Sequence, residues 1–210
     1  MKHVKQWKYI LAIPTLALFF IFLYYYIHKD ELSTDRTFNH LFEGNIVLGF
    51  FSIFADPPTI IIASLLLLVY LWVRKKNYRG MLFVLFAVGG GNVVNQMVKN
   101  LIDRERPELE NQLLSYSFPS GHAMTGLIYL FTIAYFMTAE SYDRKRSIII
   151  WGTTLVLALL IGLSRVANIH HYGSDVVAGW ALGYTWFALI MWWYEHRKRQ
   201  FQKQNKAFSG

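Results

Sequence analysis

The chain has 210 residues, of which 54% are apolar and only 16% charged, against about 25% charged in an average globular chain. Cysteine is absent, which excludes a disulfide framework, a thiolate nucleophile and a zinc site built on sulfur. A net charge of +8 would suggest nucleic acid in a soluble protein, but here the apolar residues fall in six long runs with the charge between them. That pattern excludes a disordered chain and argues against a soluble single-core domain.

The runs extend from about Tyr9 to Ile27, Pro57 to Val73, Met81 to Met97, His122 to Ala139, Ser147 to Ser164 and Val176 to Tyr194. Each meets the roughly 17–25 residues that a helix needs to cross a bilayer. A spanning segment must satisfy its own backbone polar groups, so these are helices, and the alternating strands of a membrane barrel are not seen. The predicted fold is therefore all-α: one six-span integral membrane bundle occupying residues 1–210. The first run follows basic residues, as a signal peptide would. It is too long for one and has no small-residue cleavage site after it, so it reads as a retained anchor.

Between the first two spans, Leu32, Phe38, Leu41 and Phe42 fall on one face of a short helical stretch, with Asp35, Arg36, Asn39, His40 and Glu43 mainly on another. This segment, 31–43, is either a helix lying in the outer interface or an ordinary loop helix packed on the bundle. In the third span, Gly89-Gly90-Gly91 allows close helix packing. After it, Asn92, Asn95, Gln96 and Lys99 form a polar stripe at i, i+3, i+4, i+7, which in a membrane faces the bundle interior. The stripe serves interhelical hydrogen bonding, except that Asn95 and Gln96 sit one turn from Lys99 and can orient it. Trp192, Trp193 and Tyr194 close the last span as an interfacial anchor.

Charge sets the orientation. With six spans, the N-tail, the 74–80 and 140–146 loops and the C-tail share one side. They hold 15 of the 21 basic residues and only Glu140, Asp143 and Glu195 of the acids. Cytoplasmic loops carry the Lys/Arg excess, so both termini are predicted to be cytoplasmic. The basic balance then reflects membrane orientation and anionic inner-leaflet lipid, not nucleic acid.

The few cations on the outer side are clustered, and three segments at outer span ends carry the chemistry. They are Lys99 to Arg106-Pro107, Pro119-Ser120-Gly121-His122, and Ser164-Arg165 followed by His171 and Asp175. Lys99, Arg106 and Arg165 can hold a phosphate and stabilise developing negative charge. Arg104 is expected only to pair with the nearby acids Asp103, Glu105 and Glu108. Ser120 and Gly121 open a helix whose free N–H groups favour an anion, although Ser120 also reads as a plain N-cap. His171 and Asp175, at i, i+4, share a helix face if the sixth helix begins near His171, so the carboxylate can hold Nδ1–H and leave Nε2 free. His122 is a candidate general acid and base. His170 points elsewhere. The residues alone do not say which histidine attacks first.

The combined pattern Lys-x6-Arg-Pro, Pro-Ser-Gly-His, Ser-Arg-x5-His-x3-Asp resembles the signature of the type 2 phosphatidic-acid phosphatase superfamily, matched over Lys99 to Asp175 without a substitution. The chain length is similar to that of compact bacterial members that dephosphorylate phosphatidylglycerophosphate or undecaprenyl pyrophosphate. The resemblance implies a cofactor-free, metal-independent lipid phosphatase at the outer face of the plasma membrane. In it His171 would be the nucleophile, Asp175 its orienter and His122 the acid and base. Lys99, Arg106 and Arg165 would hold the phosphate, helped by Ser120 and Gly121. Phosphatidylglycerophosphate is the first-choice substrate and undecaprenyl pyrophosphate the second. The only partner implied is the lipid, entering through a lateral gap between helices bordered by the 31–43 segment. No obligate protein partner is evident. A transporter of a phosphorylated solute would not need the two histidines and the aspartate. A metal hydrolase built on His122, His170, His171 and Asp175 is opposed by the surrounding cations.

Overall fold

The computed structural model describes residues 7–28, 33–107, 115–139 and 143–208. Among these there is no strand. A single turn, α1 (Trp7–Ile10), leads into α2 (Ala12–His28), followed by α3 (Ser33–Phe42). Helix α4 (Ile46–Phe50) runs through a 3-10 turn (Phe51–Ala55) into α5 (Pro57–Val73). Then come α6 (Tyr78–Val84), a π-helical turn (Leu85–Gly89) and α7 (Gly90–Ile102), and finally α8 (Gly121–Thr138), α9 (Arg144–Ala167) and α10 (Gly173–Phe208).

Four helical stretches are long and apolar enough to cross a membrane: Lys8–His28, Tyr78–Ile102, Arg144–Ala167 and Gly173–Gln204. A fifth is added if Ile46–Ala55 and Pro57–Val73, which meet at 46°, count as one span. Large apolar side chains such as Ile13, Phe20, Ile61, Leu66 and Val156 face outward, as they do where lipid is the solvent. The chain is a multi-pass membrane protein. The remaining predicted span, α8, is different in kind. Its sequence admits Thr125, Thr132 and two glycines because it lies at the centre, with 11 of its 18 residues buried by its neighbours.

Helices in lipid gain little from apolar burial between themselves, so close van der Waals packing has to hold them together. Two glycines one turn apart supply it. A Cβ at Gly179 would lie 2.7 Å from the Ser120 carbonyl oxygen, and one at Gly183 would lie 2.9 Å from that of Met124. The α8 and α10 backbones therefore nearly touch, and the Ser120 N–H donates to the Asp175 carbonyl at 3.0 Å. This contact locks the Pro-Ser-Gly-His turn onto the start of α10. In the triple glycine, a Cβ at Gly89 would have no neighbour within 4 Å, whereas Gly90 and Gly91 give the close packing expected, against Trp186 and Ile128. The π-turn beside them loosens backbone carbonyls, and the Trp186 indole N–H donates to Phe86 and Ala87 oxygens at 3.1 Å each.

The long helices alternate in direction. The C-terminal ends of α7 and α9 and the N-terminal ends of α5, α8 and α10 gather at one end of the bundle. At the other end the two terminal helices meet, with the Tyr9 hydroxyl 2.7 Å from Glu195.

Helix α3 forms as the pattern predicted, and Phe38 and Phe42 pack against the bundle as in a loop helix laid on it, but the two faces are not cleanly divided. Asp35 is buried and Asn39 accepts from the Gly173 N–H at 3.2 Å, so part of the polar face meets the bundle. Leu41, assigned to the apolar face, is 71% exposed. The reason is that α3 caps the start of α10, whose orphan N–H groups need acceptors. Leu32, and Glu108 among the expected partners of Arg104, lie outside the described residues.

Candidate active site

The three sequence segments converge on one cavity of about 510 Å³. Lys99, Arg106, Gly121, His122, Arg165 and His171 all line it, and so do the stripe residues Asn92, Asn95 and Gln96. Ser120 does not. It is buried, and its hydroxyl accepts from the Ala123 N–H as an N-cap, leaving Gly121 and His122 as the parts of that turn that face the cavity.

His171 reaches the site through a tight turn. After α9, Ile169 takes a left-handed conformation with φ of 56°, uncommon for a β-branched residue. Its N–H bonds to the Val166 oxygen at 2.9 Å and that of His170 to Arg165 at 3.0 Å. His171 is thereby buried at the mouth of α10. Asp175, on the first turn of that helix, is fully buried. Its Oδ2 lies 3.6 Å from His171 Nδ1, longer than a hydrogen bond, and it also accepts from the Tyr172 N–H at 2.9 Å. Ser117 bridges the gap: its hydroxyl is 3.3 Å from His171 Nδ1 and donates to Asp175 Oδ2. With Nδ1 facing these oxygens, Nε2 is the acceptor toward the Arg106 guanidinium, 3.2 Å away. That tautomer follows from the network and leaves the Nε2 lone pair toward the cavity. Burial pushes the His171 imidazole down to about 3. Asp175 opposes this, while the Lys99 and Arg106 charges reinforce it.

The cations are held by neutral groups. Lys99 Nζ donates to the Tyr116 and Ser117 carbonyls. Arg106 donates to the Ser115 carbonyl at 2.6 Å, the Ser115 hydroxyl at 2.9 Å and the His170 carbonyl at 2.7 Å. Arg165 is only 5% exposed, and its Nε has no partner among the described residues. None of the three is in an ion pair among the described residues. Lys99 and Arg165 are buried and Arg106 is half-buried. A buried cation without a counter-charge is costly, and the three cations around one cavity form a receptor for a multiply charged anion. No group of three or more His, Asp or Glu among the described residues is placed to hold a metal ion.

Arg104 departs from expectation. It does not pair with Asp103 or Glu105. It is buried, and its guanidinium bonds to Asp175 Oδ1 at 2.7 Å and Asp35 Oδ2 at 3.1 Å. A buried arginine needs buried carboxylates, whereas Asp103 and Glu105 face solvent. His170, as expected, does not line the cavity, and only its carbonyl serves the site, through Arg106. Two further participants were not anticipated. Ser117 sits in the segment ahead of Pro119 without any pattern to mark it. Asp56 bonds His122 Nε2 at 2.9 Å; in the sequence, an aspartate before two prolines reads only as the cap of a span.

Known proteins share this chain's family and fold. The family model described as the PAP2 superfamily matches residues 80–199. The chain belongs to the PAP2 superfamily. Within it, the chain is 32% identical to phosphatidylglycerophosphatase B of Bacillus subtilis over 208 residues, covering 90% of this chain and 98% of the relative. It is 25% identical to an undecaprenyl-diphosphatase of Sulfolobus acidocaldarius, covering 76% and 75%. The crystal structure of a transmembrane PAP2 type phosphatidylglycerolphosphate phosphatase from B. subtilis superimposes with a TM-score of 0.71 at 26% identity, over 87% of this chain and 96% of that one. The PAP2 match contains every residue that the sequence reading placed in the site, from Lys99 to Asp175.

Proposed function

We propose that this PAP2 protein hydrolyses a lipid phosphate through a phosphohistidine on His171. The observation that carries the reading is the set of three cations, Lys99 and Arg165 buried and Arg106 half-buried, without carboxylate partners among the described residues and gathered around an uncharged, inward-facing Nε2. A bound phosphate satisfies Arg165, relieves the repulsion among the cations, and presents phosphorus to His171. Nε2 attacks phosphorus, and the bond to the lipid oxygen breaks as His122 protonates the leaving alkoxide. His122 then takes a proton from water, which cleaves the phosphorus–nitrogen bond and releases inorganic phosphate. Asp175 stabilises the positive ring in both steps.

The cavity supports a lipid with a polar group next to the phosphate. Its apolar wall is Pro57, Ile60, Ile61 and Val88, and Ile61 and Gly89 at its edge are exposed between α5 and α7. That is the lateral entry; α3, expected to border it, caps α10 instead. The other wall is Asn92, Asn95 and Gln96, and Asn95 Oδ1 is buried without a partner among the described residues. Donors on a glycerol headgroup satisfy such a wall, whereas a prenyl chain joined directly to the phosphate leaves it unsatisfied. Phosphatidylglycerophosphate is therefore the favoured substrate. The name of the 32% identical relative supports it, and that of the second relative keeps undecaprenyl pyrophosphate as the alternative. Purified protein assayed on both lipids at equal micellar mole fraction is expected to show the higher kcat/KM on phosphatidylglycerophosphate. A preference for the prenyl substrate would reverse the assignment.

The proposed topology has six spans, with α8 as the fourth. Both termini are on the cytoplasmic side of the plasma membrane and the site is on the outer side, because the Lys/Arg-rich segments lie at the end away from the cavity. An impermeant thiol reagent added to intact cells should label a cysteine at exposed position 105 and not one at exposed position 145. The opposite pattern would invert the topology.

A further inference from the structure

Arg104 occupies one of the unspecified positions of Lys-x6-Arg-Pro, yet it is among the most enclosed charges in the molecule. Its guanidinium carbon lies 4.2 Å from the Tyr172 ring centroid and 5.0 Å from that of Tyr26, so aromatic rings pack on it. It does not line the cavity and is not a phosphate ligand. One of its terminal nitrogens bonds Asp175 Oδ1 and the Ser174 hydroxyl, at 2.7 and 2.8 Å, and the other bonds Asp35. Asp35 in turn accepts from the Ser174 N–H at 2.8 Å and the Ser174 hydroxyl at 2.7 Å.

The two oxygens of Asp175 are therefore divided. Oδ1 is occupied by Arg104, and Oδ2 is left for Tyr172, Ser117 and the imidazole. A carboxylate anchored at one oxygen cannot rotate away from Nδ1, and its charge is retained in a site that excludes water. Arg104 is itself anchored from α3, an element outside the three motifs and outside the family match. We propose that Arg104 and Asp35 are positioning residues that hold Asp175 against His171, so that the small helix α3 forms part of the catalytic support. The inference rests on the phosphatase reading.

The test uses the full-length protein, with turnover on phosphatidylglycerophosphate and inhibition by inorganic vanadate measured for each variant. Arg104→Gln should lower kcat on the order of 100-fold, as displacement of a catalytic group by about 1 Å does. Asp35→Asn should lower it about tenfold. KM and the vanadate inhibition constant should change little, because Lys99, Arg106 and Arg165 remain. Arg104→Lys should recover part of the loss. In an Asp175→Asn background, Arg104→Gln should add almost nothing, since residues that act through one another are not additive. An Arg104→Gln loss of equal size in both backgrounds, or one carried by KM and vanadate binding, would overturn the proposal, as would unaltered kcat. If Arg104→Gln does not fold, Arg104→Lys and Asp35→Asn make the same comparison in both backgrounds. A wild-type protein without turnover would overturn the phosphatase reading and the clamp with it. An active wild type with an indifferent Arg104 would overturn the clamp alone.

Discussion

Replacing His171 by alanine is expected to lower turnover on the order of 10⁴-fold or more, the scale seen when a catalytic nucleophile is removed. The fold should survive, because the turn that delivers the residue is fixed by backbone bonds of Ile169 and His170. Vanadate binding should persist as well, since the cations are anchored mainly on carbonyl oxygens. The ionisation of the residue supplies a second signature. Its imidazole is pushed down to about 3 by burial, so lowering the pH from 7 to 5 leaves Nε2 unprotonated. Nitrogen-15 histidine spectra should include an imidazole that stays neutral across that range and is missing from the spectrum of His171→Ala. An imidazole at this position protonating near 6.5 would contradict the site as described.

His122→Gln carries the second large effect. General acid–base groups contribute about 10²–10⁴-fold, and here one group serves both half-reactions. With a lipid phosphate, formation and hydrolysis of the phosphohistidine should both slow. With p-nitrophenyl phosphate, whose leaving group needs no proton, formation should recover while hydrolysis remains slow. The variant should then release one equivalent of nitrophenol in a burst and accumulate phosphoenzyme. Asp56→Asn, which weakens the partner of the ring, should show the same behaviour in milder form. A His122→Gln protein with equal losses on both substrates and no burst would remove the residue from the leaving-group step.

The parts of this molecule legible in the sequence are those written in local pattern. The apolar runs gave the helices, and the spacing of Lys99, Arg106, His122, Arg165 and His171 at helix ends gave a cluster that the fold brings to one cavity, with Asp175 buried behind His171. The stripe from Asn92 to Lys99 was legible as a face, though its use as a cavity wall depends on the gap between α5 and α7. What was not legible depends on contacts between distant segments. Arg104 has acids on both sides in sequence, so pairing with them was the local expectation. Its real partners are 69 and 71 positions away. Asp56 and Ser117 are polar residues at turns, where capping accounts for them without a role in chemistry. Helix α3 packs Phe38 and Phe42 inward as an amphipathic loop helix does, but the burial of Asp35 was not legible, because the N–H it accepts from is 139 positions away. Gly179 and Gly183 passed unremarked in an apolar run, although they set the approach of α8 to α10 and so the position of His122.

The central claim is that His171 carries the phosphoryl group without help from a metal. The most direct test is phosphate release from phosphatidylglycerophosphate by the purified protein in excess EDTA, run beside His171→Ala and with rapid-quench capture of phosphohistidine. Release should survive chelation and a labelled histidine should appear in the wild type, and neither should be seen in the variant. Release that stops with chelator, or that continues in His171→Ala, would contradict it.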